Sequence, residues 1–342
     1  MIKKVLITGS SGFIGSAVVN RLKKDGITSI GIDLALPPAE AMPDKFHNVD
    51  IRDASAINRV IKSSDAHAVI HLAATHDLSD ITNEKTGLTA YRTNTEGTKN
   101  ILHAIEQLPT VKRGIFTSTQ LISELGHQVV SLDDARPSTF YGKSKLIGEK
   151  MICSFNKKPY VWMIVRPTTI WGPGMMQHYV RFIKYIEKGW YFHLTNKPLF
   201  KSYGYIENVA YQYVRLLMAE GKNVDKKTFY LADYEPISLR QYADEIGTCL
   251  GAPPIKTLPL FAFKSMAFIG DMLTKTGLPR FPFTSQRAKN ILTEYRYDLQ
   301  ETKRLCGKLP VNFKEGIAKT IKWYKKQKPI GYRGSEKIKK NK

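Results

Sequence analysis

The stretch Lys4-Val5-Leu6-Ile7-Thr8-Gly9-Ser10-Ser11-Gly12-Phe13-Ile14-Gly15 decides the architecture. Its first half is a short aliphatic run of strand length. Its second half places glycines at 9, 12 and 15 and opens into a helical pattern over 14–24. Each glycine has a physical task. Gly9 permits the tight turn out of the strand, Gly12 lets the backbone approach a pyrophosphate, and Gly15 lets the helix pack close to the strand. The start of the helix supplies unpaired N–H groups and the positive end of a dipole, which attract phosphates. Ser11, Phe13 and Ile14 complete the loop expected at those phosphates. A glycine triplet alone says little, but at a strand–helix junction it reads as a dinucleotide site.

Working outward, residues 29–33, 68–71, 114–117 and 161–166 read as further buried strands, and 54–61 and 95–106 carry apolar residues at helical spacing. Strand–helix alternation of this kind requires right-handed crossovers and a parallel sheet covered on both faces. The expected fold is therefore α/β, a Rossmann-type doubly wound sheet, with ligands at the carboxyl ends of the strands. After Gly172-Pro173-Gly174 the alternation is lost and longer helical stretches appear. This predicts a nucleotide-binding domain over 1–172 that carries the catalytic residues. A smaller, mostly helical substrate lobe over 173–330 follows, with segments crossing between the two, and then a disordered basic tail over 331–342.

Asp33 closes the second strand, where a carboxylate can accept hydrogen bonds from the adenosine ribose hydroxyls and repels a 2′-phosphate. No arginine follows it, so NAD is favoured over NADP. Asp50 is read as the end of the third strand and an adenine contact, with a helix N-cap as its alternative role. Tyr141-Gly142-Lys143-Ser144-Lys145 puts a phenol and an ammonium at i and i+4, on one helix face. A phenol of pKa near ~10 is a poor base at neutral pH. The lysine charge, with the positive nicotinamide of an oxidised cofactor, is expected to lower that pKa so that the phenolate can take a substrate proton. Phe116-Thr117-Ser118-Thr119 brings hydroxyls to a strand end, where one can polarise the reacting oxygen.

With these residues in view, the chain resembles the extended short-chain dehydrogenase/reductases over almost its whole length. The resemblance rests on the TGSSGFIG loop, His71-Leu72-Ala73-Ala74, Asn94 in NTEGT, the strand-end hydroxyls, YGKSK, the segment from Arg166 through Pro167 and Thr169 to Pro173, Asp298, and EGIAKTIKWY over 315–324. It implies a triad of Thr119, Tyr141 and Lys145, with Ser118 as an auxiliary hydroxyl toward substrate. It also implies NAD contacts at Ile51, Leu72, Ala73, Ala74, Asn94, Thr117 and Pro167, besides the loop and Asp33. Family dehydratases carry an Asp-Glu pair after the catalytic threonine. Gln120-Leu121 stands here instead and argues against dehydration. Thr169 replaces an asparagine common among nucleotide-sugar relatives, while Lys201 and Arg287 are candidates for contacting a diphosphate. The resulting expectation is an NAD-dependent nucleotide-sugar epimerase acting at a sugar carbinol carbon, with C4 expected. The alternatives are a nucleotide-sugar dehydrogenase or 4-keto-sugar reductase, and a 3β-hydroxysteroid-type dehydrogenase. Relatives commonly dimerise through helices corresponding to 95–106 and 141–155, so a homodimer is implied.

Composition bounds the rest. Fifty-two Lys and Arg against 30 Asp and Glu give a formal charge of +22, which favours anionic partners such as phosphorylated small molecules. No nucleic-acid-binding signature is present, so no nucleic-acid partner is expected. No stretch reaches the ~18 uncharged apolar residues of a membrane span, and no secretory signal pattern is seen. Three scattered cysteines suit reduced thiols and a cytoplasmic location. The eight histidines lack ligand spacing, so no metal site is expected. The Phe- and Met-rich stretch 258–274 is read as a packed helix of the small lobe. A membrane-surface helix or a lid over an apolar ligand is its alternative, and weak association with an anionic membrane is, separately, the alternative for the basic tail.

Overall fold

A computed structural model of the chain describes residues 1–76, 87–155, 159–259 and 285–327, with 286–288 in backbone only. From the stretch between the last two it adds Phe261, Phe263, Ser265, Phe268, Gly270 and Met272. The tail over 331–342 lies outside the described residues.

In chain order the strands begin with β1 (Lys4–Thr8), β2 (Thr28–Asp33), β3 (Lys45–Asn48), β4 (Ala68–His71), β5 (Arg113–Thr117) and β6 (Val161–Pro167). Short strands β7 (Thr169–Trp171), β8 (Phe200–Lys201) and β9 (Tyr203–Tyr205) follow, then β10 (Lys227–Leu231) and β11 (Ile237–Ser238). Seven of them form one sheet in the order β10-β6-β5-β4-β1-β2-β3, and every neighbouring pair is parallel.

Alternate side chains of each strand face opposite helical layers, as a two-residue period requires. Val5, Ile7, Ile70, Ile115 and Val165 pack with Val18, Val19 and Leu22 of the helix Phe13–Lys24. Leu6, Ile32, Val69, Phe116 and Ile164 pack on the other face with Ile57, Ile101 and Ile105. Full burial of such a side chain is worth roughly 1.5–3 kcal/mol. These two aliphatic layers are what hold the sheet rigid beneath its carboxyl edge.

Strand order reverses between β1 and β4, which opens a crevice at Thr8 and His71. Thr8 Oγ1 meets His71 Nδ1 at 2.7 Å, and His71 Nε2 meets Thr98 Oγ1 at 3.0 Å. Thr98 Oγ1 donates its own proton to Asn94 O, so it accepts from His71 and assigns the proton to Nε2. Burial pushes the imidazole down to about 3, with the Lys145 charge adding to the effect, so His71 is a neutral strut.

The C-terminal part is mostly helical, with Gln177–Glu187, Leu239–Leu250, Ser285–Leu292 and Phe313–Gln327 beside the pairs β7–β9 and β8–β11. Trp171 of β7 packs its ring 4.9 Å from Tyr205 and 5.2 Å from Tyr242 between centroids, linking β7 to β9 and to the helix Leu239–Leu250. β10 comes from this second half yet closes the large sheet against β6. Two local readings change. β3 ends at Asn48, two residues short of Asp50, and the helix Ala54–Lys62 is capped by Asp53 accepting from Ala56 N at 2.9 Å. The helix Thr98–Glu106 is preceded by a π-turn, Thr93–Gly97, around Asn94.

Candidate active site

The glycine loop sits at the mouth of the crevice. Gly9 has φ +75°, and a Cβ there would lie 2.6 Å from Ala73 N. A Cβ on Gly15 would collide with Gly9 O, so the helix can approach the strand this closely only without one. Among the described residues, a Cβ on Gly12 would meet only Gly9 O, at 3.3 Å. Gly12 is also the helix N-cap and provides no side-chain cap bond. Asp33 clips the loop to the end of β2, its two carboxylate oxygens accepting from Ser11 N and Ala35 N, each at 3.0 Å. A glycine loop, an uncapped helix start and a carboxylate at the end of β2 fit an adenine dinucleotide.

The remaining expected cofactor contacts are placed as follows. Phe13 and Ile14 open the helix, and the Phe13 ring lies 3.5 Å from the Cβ position of Gly174. Leu72 N donates to Thr8 O at 3.0 Å and Ala73 N to Thr8 Oγ1 at 3.3 Å, holding Leu72, Ala73 and Ala74 along the crevice. Pro167 ends β6 opposite Leu231. Asp50 is occupied by Arg52 (2.6 Å to Nη2), which holds its carboxyl below the usual carboxylate range. Ile51 is buried against Gly97. Thr117 Oγ1 lies 3.0 Å from Tyr213 OH. Asn94 is 1% exposed, and its amide bonds Thr75 N, Thr75 O and Ser144 Oγ at 2.8–2.9 Å. Ser144 in turn donates to Tyr141 O at 2.7 Å. Asn94 thus ties the loop after β4 to the helix that carries Tyr141.

That helix is Phe140–Ser154, capped by Thr139 Oγ1 accepting from Gly142 N at 3.0 Å. An added methyl on Gly142 would strike Leu121 O, so the first turn rests directly on the turn Gln120–Ile122. This contact sets Tyr141 beside Thr119, to which it is hydrogen-bonded. Burial pushes the phenol up to about 12, and the Thr119 bond opposes the rise. In the protein by itself, without the nicotinamide charge on which the expected lowering also rests, desolvation of a phenolate outweighs the groups that favour it. Burial also pushes Lys145 down to about 8, opposed by Glu149 one turn further along. Glu149 accepts from Arg166 Nε at 2.9 Å and Nη2 at 2.7 Å, both side chains being buried. Near neutral pH the pair stands as phenol and ammonium, the state that gives a proton to a carbonyl oxygen.

On the open side of Thr119, Gln120 Nε2 donates to Thr169 Oγ1 at 3.3 Å, and Thr169 Oγ1 lies 2.8 Å from Tyr295 OH. Ser118 Oγ and Gln120 Oε1 are buried with no partner among the described residues. Lys201 is buried beneath Tyr295, 5.2 Å from its ring centroid, and donates to Asn290 O at 2.8 Å. Burial pushes it down to about 8. The fold thus gathers Ser118, Thr119, Thr169 and Lys201 through Gln120 and Tyr295. Arg287 lies on the helix Ser285–Leu292, and its side chain is outside the described residues. Sequence reasoning missed Glu149, Gln120, Tyr213 and Tyr295. The i+4 spacing of Glu149 from Lys145 was a usable signal. Tyr213 and Tyr295 reach the site across 96 and 126 residues, and no local pattern marks them.

A doubly wound sheet, a glycine loop at its switch point and a helix carrying tyrosine and lysine four residues apart define a nucleotide-dependent oxidoreductase. The chain belongs to the NAD-dependent epimerase/dehydratase family, whose model matches residues 5–229, and it is an NAD-dependent enzyme. It is 26% identical to human short-chain dehydrogenase/reductase family 42E member 1, over 94% of this chain and 87% of that one. It is likewise 26% identical to the N-acetyl-α-D-glucosaminyl-diphospho-ditrans,octacis-undecaprenol 4-epimerase of Escherichia coli O157:H7, over 93% and 94%. Its fold is similar to UDP-glucose 4-epimerase of Thermotoga maritima, solved with UDP-glucose, at TM-score 0.71 and 20% identity over 95% and 99% of the two chains.

Proposed function

We propose that the protein is a nucleotide-sugar epimerase that removes and returns a hydride at a sugar carbinol carbon, C4 in our reading. The observation that carries the sugar assignment is the pair of unpartnered buried atoms beside Thr119, Ser118 Oγ and Gln120 Oε1. A buried polar atom without a partner costs ~1–3 kcal/mol, which a polyhydroxylated ring can relieve and a hydrocarbon skeleton cannot.

Tyr141 exchanges the proton of the reacting hydroxyl, and Thr119 holds that oxygen in line with the phenol. Lys145 holds positive charge beneath both, and Asn94 with Ser144 fixes the helix that aims them. Gly12 and the helix start receive the pyrophosphate, and Asp33 the adenosine ribose. Bound NAD supplies the hydride acceptor and donor, together with the positive charge that favours phenolate. Lys201, with one of its three N–H donors on Asn290 O, seats Tyr295 over the sugar in this reading. The reading extends to a homodimer through the helices Thr98–Glu106 and Phe140–Ser154, the latter with Ile147 39% exposed. A second reading, keto-sugar reduction, draws on the resting state of neutral phenol and ammonium.

The test is incubation of the NAD-loaded protein with UDP-hexoses and UDP-N-acetylhexosamines, followed by NMR of the sugar and absorbance of NADH. Interconversion of C4 epimers without net NADH is expected, and Tyr141→Phe is expected to lower the rate by ~10²–10⁴ while NAD still binds. NADH accumulating with a sugar would move the assignment to a dehydrogenase. Turnover of a 3β-hydroxysterol with none of any sugar would overturn it.

A further inference from the structure

The structure presents an apolar stripe that the proposed chemistry does not use. Phe261, Ser265, Phe268 and Met272 follow one another at helical spacings of four, three and four, and Ser265 Oγ donates to Phe261 O at 3.1 Å. At ~100° per residue these four positions fall on one side of the helix, with 263 and 270 on the other. Burial agrees. Phe263 is 2% exposed and packs with Leu194, Leu258, Ile291 and Leu292, whereas Phe261, Phe268 and Met272 are 76%, 65% and 57% exposed. Among the described residues of this segment, Phe263 therefore packs inward while Phe261, Phe268 and Met272 look outward. The adjoining segment extends the stripe. His193 bridges Thr257, and Leu258 N donates to His193 O at 2.7 Å. Just before His193 stand Trp190 and Phe192, 60% and 36% exposed, with Lys188 Nζ 4.5 Å from the Trp190 ring centroid. Single exposed apolar residues are commonplace, but a periodic stripe of this size marks a binding surface.

Charge selects the occupant. Between residues 251 and 290 the sequence holds Lys256, Lys264, Lys275, Arg280, Arg287 and Lys289, against Asp271 as the single acidic residue. A second copy of this chain would bring the same cations against one another across a twofold axis. An anionic bilayer neutralises them and also accepts Phe, Trp and Met at the boundary between headgroups and acyl chains. No helix among the described residues is long and apolar enough to cross a membrane, so such binding is peripheral. We infer that the outer stripe Phe261–Phe268–Met272, flanked by Trp190 and Phe192, docks the enzyme on the surface of an anionic lipid bilayer. This inference is independent of the sugar reading.

The test is co-sedimentation of the full chain with phosphatidylcholine vesicles that contain either no anionic lipid or about 30% phosphatidylglycerol. Binding to the anionic vesicles alone, weakened by salt, is expected. The triple variant Phe261→Ser, Phe268→Ser, Met272→Ser is expected to lose at least about tenfold in partitioning while keeping the circular dichroism and NAD affinity of the parent. No binding by the parent, or undiminished binding by the triple variant, would sink the inference. Binding retained by that variant but lost on removal of residues 328–342 would sink it in favour of the tail. A parent that is dimeric by light scattering, becomes monomeric in the triple variant and ignores vesicles would assign the stripe to a second copy.

Discussion

At the scale of single residues, the glycine loop separates packing from binding. Gly15→Ala drives a methyl into Gly9 O, whereas Gly12→Ala meets, among the described residues, only Gly9 O at 3.3 Å. Gly15→Ala is expected to destabilise the fold by ~1–3 kcal/mol through overpacking, and to weaken NAD binding with it. Gly12→Ala should lose no more than ~1 kcal/mol, because the extended backbone of this N-cap (φ −72°) accepts a Cβ and no side-chain cap bond is there to lose, yet lose at least ~10-fold in NAD affinity by filling the approach to the pyrophosphate. Calorimetric titration with NAD, beside thermal melts, checks both, and equal melting losses in the two variants would contradict the distinction. The loop, Asp33 and the Tyr141–Lys145 spacing were legible in the sequence because each is a local pattern whose geometry follows from one turn or one helix. The strength of the desolvation that opposes the phenolate at Tyr141 was not. It depends on how much water the fold removes, and no spacing records that.

At the scale of elements, the helix Phe140–Ser154 is fixed at its start and along its length by different means. Thr139 and Gly142 seat its start, and the Glu149–Arg166 pair holds its middle against β6. Removing one partner of a buried pair leaves an uncompensated charge, so Glu149→Gln should cost ~3–5 kcal/mol in urea unfolding. Replacing both partners, as Glu149→Leu with Arg166→Met, should recover most of that loss. The double variant should also move the alkaline limb of the pH–rate profile below its parental position, since Glu149 is what opposes the burial of Lys145. An unshifted limb would show that Glu149 only packs. Strands and helices of the first half were readable because two-residue and 3.6-residue periods report burial directly. Asp50 was misplaced by two residues, because a strand end is fixed by pairing with β2 and not by its own composition.

At the scale of the whole molecule, stability should peak in alkali. Lys145 and Lys201 are pushed down to about 8 in the folded chain, while the unfolded chain titrates them near ~10.4. Between those values the unfolded state holds the extra protons, so stability rises with pH. Above ~10 the sign reverses. Burial raises Tyr141 and Tyr179 to about 12 and Tyr203, Tyr213 and Tyr242 well above ordinary phenols, so the unfolded chain loses protons first. Melting temperature measured from pH 7 to 11.5 should therefore climb to a maximum near ~9–10 and then fall steeply. A steady fall from pH 8 upward would mean that the two lysines titrate as solvated groups. The seventh strand has a different consequence, one of timing. β6 is complete at Pro167, but its outer neighbour β10 starts only at Lys227. A ribosome adding ~5–20 residues per second leaves that edge bare for roughly 3–12 s, a row of free N–H and C=O groups open to pairing with another nascent chain. Chaperone cover of that edge during synthesis, more than the strength of the finished fold, should then govern how much active enzyme a cell recovers.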